Sequence, residues 1–238
     1  MSRNILLTMD IDWVSEPVIR YALDFVKCLN IPCVLFQTHY SEVIHNEQSS
    51  LFIKELHPNF CENSDHGSNI KAIINHMNQL EHRGIVIRAH KYYMPEDAVR
   101  VYGKLGFRFS MNNYTDMKYI KPYKILGDIN ELNTFFEDGF YLKQQLPLDT
   151  NYVLKKMISD GIYVFNIHPI HLAFNANEYS LTRNFKDRMT KNFYRNIDDD
   201  FIKKHSFYGY GIRSFLTDLI IQMKKNDFQF VSVTEVLL

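Results

Sequence analysis

Short apolar runs alternate with amphipathic helical stretches along almost the whole of this chain, and that alternation leaves few folds open. Ile5-Leu6-Leu7 reads as a buried strand. Val18, Ile19, Ala22, Phe25, Val26 and Leu29 follow at helical spacing and end at Asn30, and Pro32-Cys33-Val34-Leu35-Phe36 is a second strand. Strand, helix and strand over so short a span predict a right-handed parallel βαβ unit. The pattern then recurs. Leu51–Leu56 and Ile85-Val86-Ile87 are further strands, separated by a helix that Ser68 caps and whose apolar face is Ile70, Ile73, Ile74, Met77 and Leu80. Pro95 starts another helix, stopped near Gly106. Short strands are predicted around Phe107–Phe109, Lys118–Ile120 and Thr134–Phe136, and a helix carries Val153, Leu154, Met157 and Ile158 up to Gly161. Ile162–Ile167 is the clearest strand of all. A polar and aromatic excursion with a helix in it fills 176–208, before an amphipathic helix over Ile212–Met223, a last strand over Phe228–Val233 and a closing turn that Thr234 caps. Repeated strand–helix units over 238 residues predict one α/β domain spanning 1–238, a barrel rather than a sandwich.

Composition narrows the class of partner. Lysine plus arginine and aspartate plus glutamate each number 27, so the formal net charge is zero, which argues against nucleic acid or an anionic membrane surface. The N-terminal stretch has no long apolar run, so neither a signal peptide nor an integral membrane segment is expected. Three cysteines, Cys28, Cys33 and Cys61, cannot all pair with one another, and a reducing cytoplasmic setting is expected.

In a parallel barrel the carboxyl ends of all strands lie on one face, so ionisable residues that follow strands converge. Asp10 and Asp12 follow the first strand, His39 the second, His57 the third, and Arg88 and His90 the fourth. Glu137 and Asp138, then His168 and His171, follow later ones. Extended backbone would point Asp10 and Asp12 the same way, and Ser15 and Pro17 open a helix directly behind them. Taken singly, these residues have plainer uses. A lone histidine such as His39 is more often a capping or surface group, and Asp12 is as well suited to capping a helix as to holding a metal. Taken together, carboxylates and imidazoles form a ligand set suited to zinc or a similar divalent ion. His45, His66, His76 and His82 lie in polar loops or on helix faces and read as surface groups.

Thr8-Met9-Asp10-Ile11-Asp12, His57-Pro58-Asn59, Arg88-Ala89-His90 and Ile167-His168-Pro169-Ile170-His171, in that order, resemble the motifs of the polysaccharide deacetylases of the NodB-homology type. They resemble in particular a divergent branch found with surface-polysaccharide and lipopolysaccharide synthesis genes, and Val231–Glu235 is similar to that family's closing strand. The resemblance implies a distorted (β/α)7 TIM-like barrel and a metal-dependent hydrolase that removes an acyl group, usually acetyl, from an amino sugar. It implies Asp10 as general base, Asp12 and His57 as metal ligands, Arg88 as the residue that orients Asp10, and His168 as general acid. Ile11 separates acids that are adjacent in the family's usual pattern, and Cys61 stands where its second histidine ligand falls. His39 is therefore expected as third ligand, with Cys61 and His66 as alternatives. His90 replaces the usual proline; with Asn59, Glu137, Asp138 and His171 it is expected around the sugar, Glu137 or Asp138 also orienting His168. The implied cofactor is a divalent metal, zinc first. The implied substrate is an acylated amino sugar, nucleotide-linked, lipid-linked or within an oligosaccharide. Two other readings stand beside this one. The Cys61 departure and the separated acids also suit a non-catalytic carbohydrate-binding relative. A different metal-dependent barrel hydrolase, acting on phosphoesters or cyclic amides, would usually pair histidines on the first strand, where this chain has aspartates.

Overall fold

Runs of Val, Ile, Leu and Phe that are apolar on both faces can be satisfied only in the middle of a covered parallel sheet, and this is where they lie. The computed structural model describes residues 3–188 and 191–237. Ten strands form one sheet: β1 (Arg3–Asp10), β2 (Cys33–Gln37), β3 (Phe52–Leu56), β4 (Val86–Ile87), β5 (Phe109–Ser110), β6 (Tyr123–Lys124), β7 (Asn130–Glu131), β8 (Thr134–Glu137), β9 (Gly161–Ile167) and β10 (Gln229–Phe230). Their order is β6-β7-β5-β4-β3-β2-β1-β9-β8, with β10 added to β1, and every pairing is parallel except that of β6 with β7. Beyond β5 the chain reaches across to β8. Tyr114 bridges Thr134, and the Thr134 N–H donates to Asn113 O at 2.8 Å. The two ends of the sheet thus meet near the strands' carboxyl ends, and the sheet curls into the expected distorted α/β barrel.

The barrel interior is built in layers, because alternate residues of a strand share a face. Leu6, Val34, Val86, Phe109, Leu132 and Val164 fill the lower layer. Two residues further along the same strands stand Thr8, Arg88, Thr134 and Asn166, all fully buried. The next step up reaches Asp10 and His168 at the rim. Outward-facing Ile5, Leu7, Met9, Leu35, Phe165 and Ile167 pack in one cluster with the helices Glu16–Leu29 and Ile212–Lys225. Asn30, in left-handed backbone at φ 49°, ends the first of these helices. Among the described residues no helix is long and apolar enough to cross a membrane.

Several local expectations give way to the packing. Ser15 sits in the N-cap position, but its hydroxyl donates to Ile197 O at 2.5 Å instead of capping the helix. Asn69, not Ser68, caps the helix Ile70–Met77 by accepting from Ala72 N at 3.0 Å. Residues 118–120 are not a strand; the edge strand β6 comes after them. The helix expected to reach Ile158 stops at Leu154, leaving Ile158 83% exposed, and the last strand keeps only Gln229–Phe230. Three helices occupy the described part of 176–208, of which residues 189 and 190 lie outside the described residues.

Candidate active site

Asp10 ends β1, and the Ile11 N–H still donates to Phe36 O at 3.1 Å. Asp12 and Trp13 then turn into left-handed backbone, at φ 48° and 56°. It is this turn, not strand alternation, that brings Asp12 beside Asp10. Such backbone costs a bulky residue about 1–3 kcal/mol and persists only where its surroundings hold it. The Trp13 N–H donates to Thr38 Oγ1 at 3.1 Å, and its ring packs edge-on to His90 with centroids 5.0 Å apart. Directly behind His90, Lys91 and Tyr92 repeat the conformation at φ 57° and 59°.

Asp10 is pinned from both sides. Its Oδ1 accepts from Arg88 Nη1 at 3.0 Å and its Oδ2 from Asn166 Nδ2 at 2.8 Å. Arg88, with no exposed surface, also donates to Thr8 Oγ1 (2.7 Å), Asn166 Oδ1 (2.7 Å), Thr134 Oγ1 (3.1 Å) and Met111 O (3.1 Å). Burial by itself would raise the Asp10 carboxyl, but the charges of His57, Arg88 and His168 outweigh it and hold the group below the usual carboxylate range.

His57 Nδ1 lies 2.9 Å from Arg88 O. A carbonyl oxygen only accepts, so Nδ1 carries a proton and Nε2 is the nitrogen turned to the rim, the one that would offer a lone pair to a cation in place of a second proton. That nitrogen is 3.4 Å from Asp12 Oδ1 and 3.8 Å from Asp10 Oδ2, and His90 Nδ1 is 3.0 Å from the same Asp12 oxygen. Asp12, His57 and His90 each offer a donor atom within 4.8 Å of the others. One carboxylate and two imidazoles, with the tautomer of one fixed from behind, fit a divalent cation that keeps a coordination place for water or substrate.

Asp138, His168 and His171 satisfy the same distance limit, but chemistry separates the two groups. Asp138 Oδ1 stands 2.6 Å from His168 Nδ1, and its Oδ2 accepts the His168 backbone N–H at 2.9 Å. Burial would lower His168, but Asp138, through its charge and its hydrogen bond, and then Glu137 and Asp12 overcome this and raise it to about 10. A proton held this firmly between Nδ1 and Asp138 competes with any metal there, and His171 Nδ1 is 3.0 Å from Thr182 Oγ1. Glu137 Oε1 lies 3.2 Å from His168 Nδ1. Burial lifts Glu137 to about 7, against the pull of His168, while its carboxylate accepts from Gly139 N (3.1 Å) and Phe140 N (2.5 Å).

One cleft of about 350 Å³ has Asp10, Asp12, His57, His90, Glu137 and His168 on its floor and His171 on its wall. Arg88 and Asp138 lie behind that floor, in contact with Asp10 and His168. Other sequence candidates fall elsewhere. His39, expected as third ligand, turns Nδ1 to Thr38 Oγ1 at 2.9 Å and lines no part of the cleft. His90, expected at the sugar, stands in the cluster instead. Asn59 shapes its own loop: its Oδ1 accepts from Cys61 N at 3.0 Å and its N–H donates to His66 Nδ1 at 3.0 Å, which draws Asn59, Cys61 and His66 into local structure. Asn166 was missed, although a lone polar residue between Val164 and His168 on one strand face signals it. Tyr92, Lys91, Lys143 and Arg183 also line the cleft, without any local sequence sign.

The fold matches solved structures along nearly its full length. WbmS of Bordetella bronchiseptica, a candidate polysaccharide deacetylase involved in O-antigen biosynthesis, gives a TM-score of 0.79 at 22% identity over 92% of this chain and 90% of that one. A candidate polysaccharide deacetylase from Mycobacterium smegmatis gives 0.55 at 12% identity over 99% and 88%. At such identities the likeness is one of fold. No curated protein matches the chain in sequence. The family profile of WbmS-like polysaccharide deacetylases, however, matches residues 7–186, a span that runs from β1 past the second histidine of the His168–His171 segment. By that match the chain belongs to the WbmS-like polysaccharide deacetylase family.

Proposed function

We propose that the protein is a metal-dependent hydrolase that removes an acyl group, acetyl in the first instance, from an amino sugar used in surface-polysaccharide synthesis. One observation carries this reading. A carboxylate–imidazole donor set, a pinned carboxylate and a proton-bearing imidazole face one another in a single cleft. Asp12, His57 and His90 are the residues to hold a divalent cation, zinc before others on the donor set. When bound, such an ion supplies a Lewis acid beside the scissile amide and lowers the pKa of water. Asp10, kept ionised by Arg88 and aimed by Asn166, takes the proton of the attacking water. His168 faces it, with Nε2 3.9 Å from Asp10 Oδ2, and Asp138 on Nδ1 leaves the Nε2 proton to pass to the departing amine. Cavities for small ligands start at about 300 Å³, so this cleft is of a size for a sugar and its immediate substituent. We place the enzyme in the cytoplasm, where Cys28, Cys33 and Cys61, unpaired in the structure, stay reduced. The reading as a mere sugar binder rested on a ligand lost at Cys61 and on the separated acids. His90 beside Asp12 and His57, and the left-handed turn at Asp12 that keeps both acids on the cleft, favour the enzyme over it.

Purified protein tests the proposal by metal analysis and by amine release from acylated hexosamines, free and nucleotide-linked. Asp10→Asn is expected to keep its metal and lose turnover by about 10²–10⁴-fold, whereas His57→Ala loses both. Absence of metal, with turnover unchanged in both variants, would overturn it.

A further inference from the structure

We infer that the substrate carries an anionic group next to its acylated amino sugar, a phosphate or a ring carboxylate, and that Lys91, Lys143 and Arg183 bind it at the mouth of the cleft. This rests on the deacylase reading above and names its substrate class. The cleft is divided by charge: Asp10, Asp12 and Glu137 lie on the floor, whereas all three cations on its lining are exposed side chains. The chain as a whole is neutral, with 27 basic and 27 acidic residues, so three cations around one opening do not reflect general basicity.

Each cation is tied to a floor or wall residue by covalent neighbours. Lys91 follows His90 and is fixed in left-handed backbone at φ 57°. Lys143 ends the helix Asp138–Lys143, whose first residue holds His168. Arg183 follows Thr182, whose hydroxyl meets His171 Nδ1 at 3.0 Å. The backbone positions of the three cations are therefore fixed relative to the reacting groups, and their side chains reach the cleft from three separate stretches of chain. Among the described residues, Lys91 and Lys143 make no ion pair with a carboxylate, so both ammonium groups are available to a ligand in the cleft they line. A neutral sugar offers Lys91 and Lys143 no opposite charge. An anion pairs with them by charge-assisted hydrogen bonds.

Calorimetric binding to the metal-containing Asp10→Asn protein, which is expected to keep its metal without turning the probes over, tests this, further variants being made in the same background. The three probes are N-acetylglucosamine, its 1-phosphate, and N-acetylglucosaminuronic acid. At least one anionic probe is expected to bind about tenfold or more tightly than the neutral sugar, the scale of one charge-assisted contact. That preference should shrink with added salt. It should approach unity in the triple variant Lys91→Gln, Lys143→Gln, Arg183→Gln and survive in Lys91→Arg with Lys143→Arg. Preference for the phosphate assigns a glycosyl-phosphate substrate, and preference for the uronate assigns an acidic sugar. Equal affinity for all three probes, or a preference that the triple variant retains, refutes the inference. Because binding is read without turnover, the two proposals can fail separately. Anion preference with no amine release by the wild type refutes the deacylase chemistry, and amine release without anion preference refutes the cationic mouth alone.

Discussion

Glu131 is a charged residue 3% exposed on β7, and its position explains why it is tolerated there. Its Oε1 accepts the backbone N–H groups of Asn112 (2.6 Å) and Asn113 (3.0 Å), which follow the two-residue strand β5 and have no ladder partner of their own. Glu55 does the same before β4, accepting from Gly84 N (3.0 Å) and Ile85 N (2.9 Å). Burial pushes the Glu131 carboxyl above its ordinary value, against the hydrogen bonds from Ser110, Asn112 and Asn113. The folded protein thus binds this proton more tightly than the unfolded chain. The stability it contributes is complete below the unfolded carboxyl's pKa and is lost as pH rises through the folded one. Glu131→Gln keeps an oxygen for both N–H groups and has no proton to lose. Urea titrations at about pH 5 and about pH 8 are expected to show the wild type losing more stability across that interval than Glu131→Gln. Equal losses would remove burial of a titrating carboxyl as the cause. Asp138 allows a second test of this kind, since it touches His168 but does not line the cleft. Asp138→Asn should lower kcat by about 10²-fold or more while KM stays near its wild-type value. A change confined to KM would give Asp138 a sugar contact instead.

At the level of elements, legibility followed strand length. β1, β2, β3 and β9, each of five residues or more, carry enough apolar positions to be read from sequence. β4 to β7 have two residues each: β4 was still legible in Ile85-Val86-Ile87 and β5 only roughly around Phe107–Phe109, whereas β6 and β7 carry too few apolar positions to be read. A distant partner such as Glu131, which no local pattern encodes, helps to hold such short strands in the sheet. The helix Glu96–Lys104 shows another non-local constraint. A Cβ on its Gly103 would stand 2.4 Å from Gly127 O in the turn Leu126–Asp128, which packs against the helix. Backbone approach this close admits only glycine. Gly103→Ala is expected to cost about 1–3 kcal/mol, the scale of overpacking, and to lower the urea midpoint at unchanged slope. A neutral or stabilising result, as helix propensity alone would give, would mean that the turn yields freely.

Across the whole molecule, convergence at the strand ends was readable because a parallel barrel puts those ends on one face. What the pattern could not supply was which of the converging groups touch: His90 rather than His39 joins Asp12 and His57, through the turn at Asp12 and Trp13, and the cations at the mouth come from three separate stretches of chain. Arg88 is where the barrel and the site become one structure. From the exit of β4 it reaches Thr8 and Asp10 on β1, Thr134 on β8, Asn166 on β9 and Met111 O after β5, so its guanidinium spans both halves of the curled sheet. Its loss would leave Asp10 charged, buried and short of a partner, and breaking a buried pair from one side costs about 3–5 kcal/mol. Arg88→Met is therefore expected to destabilise by that amount. Arg88→Lys keeps the charge but cannot meet so many acceptors at once, and should fall between. If the cost arises from the stranded Asp10 carboxylate, Asp10→Asn in the Arg88→Met background should recover part of it. The double variant would then be more stable than the sum of the singles predicts by about 0.5–3 kcal/mol. Additive losses in that cycle would assign the role of Arg88 to filling the barrel, with no share in holding the charge of Asp10.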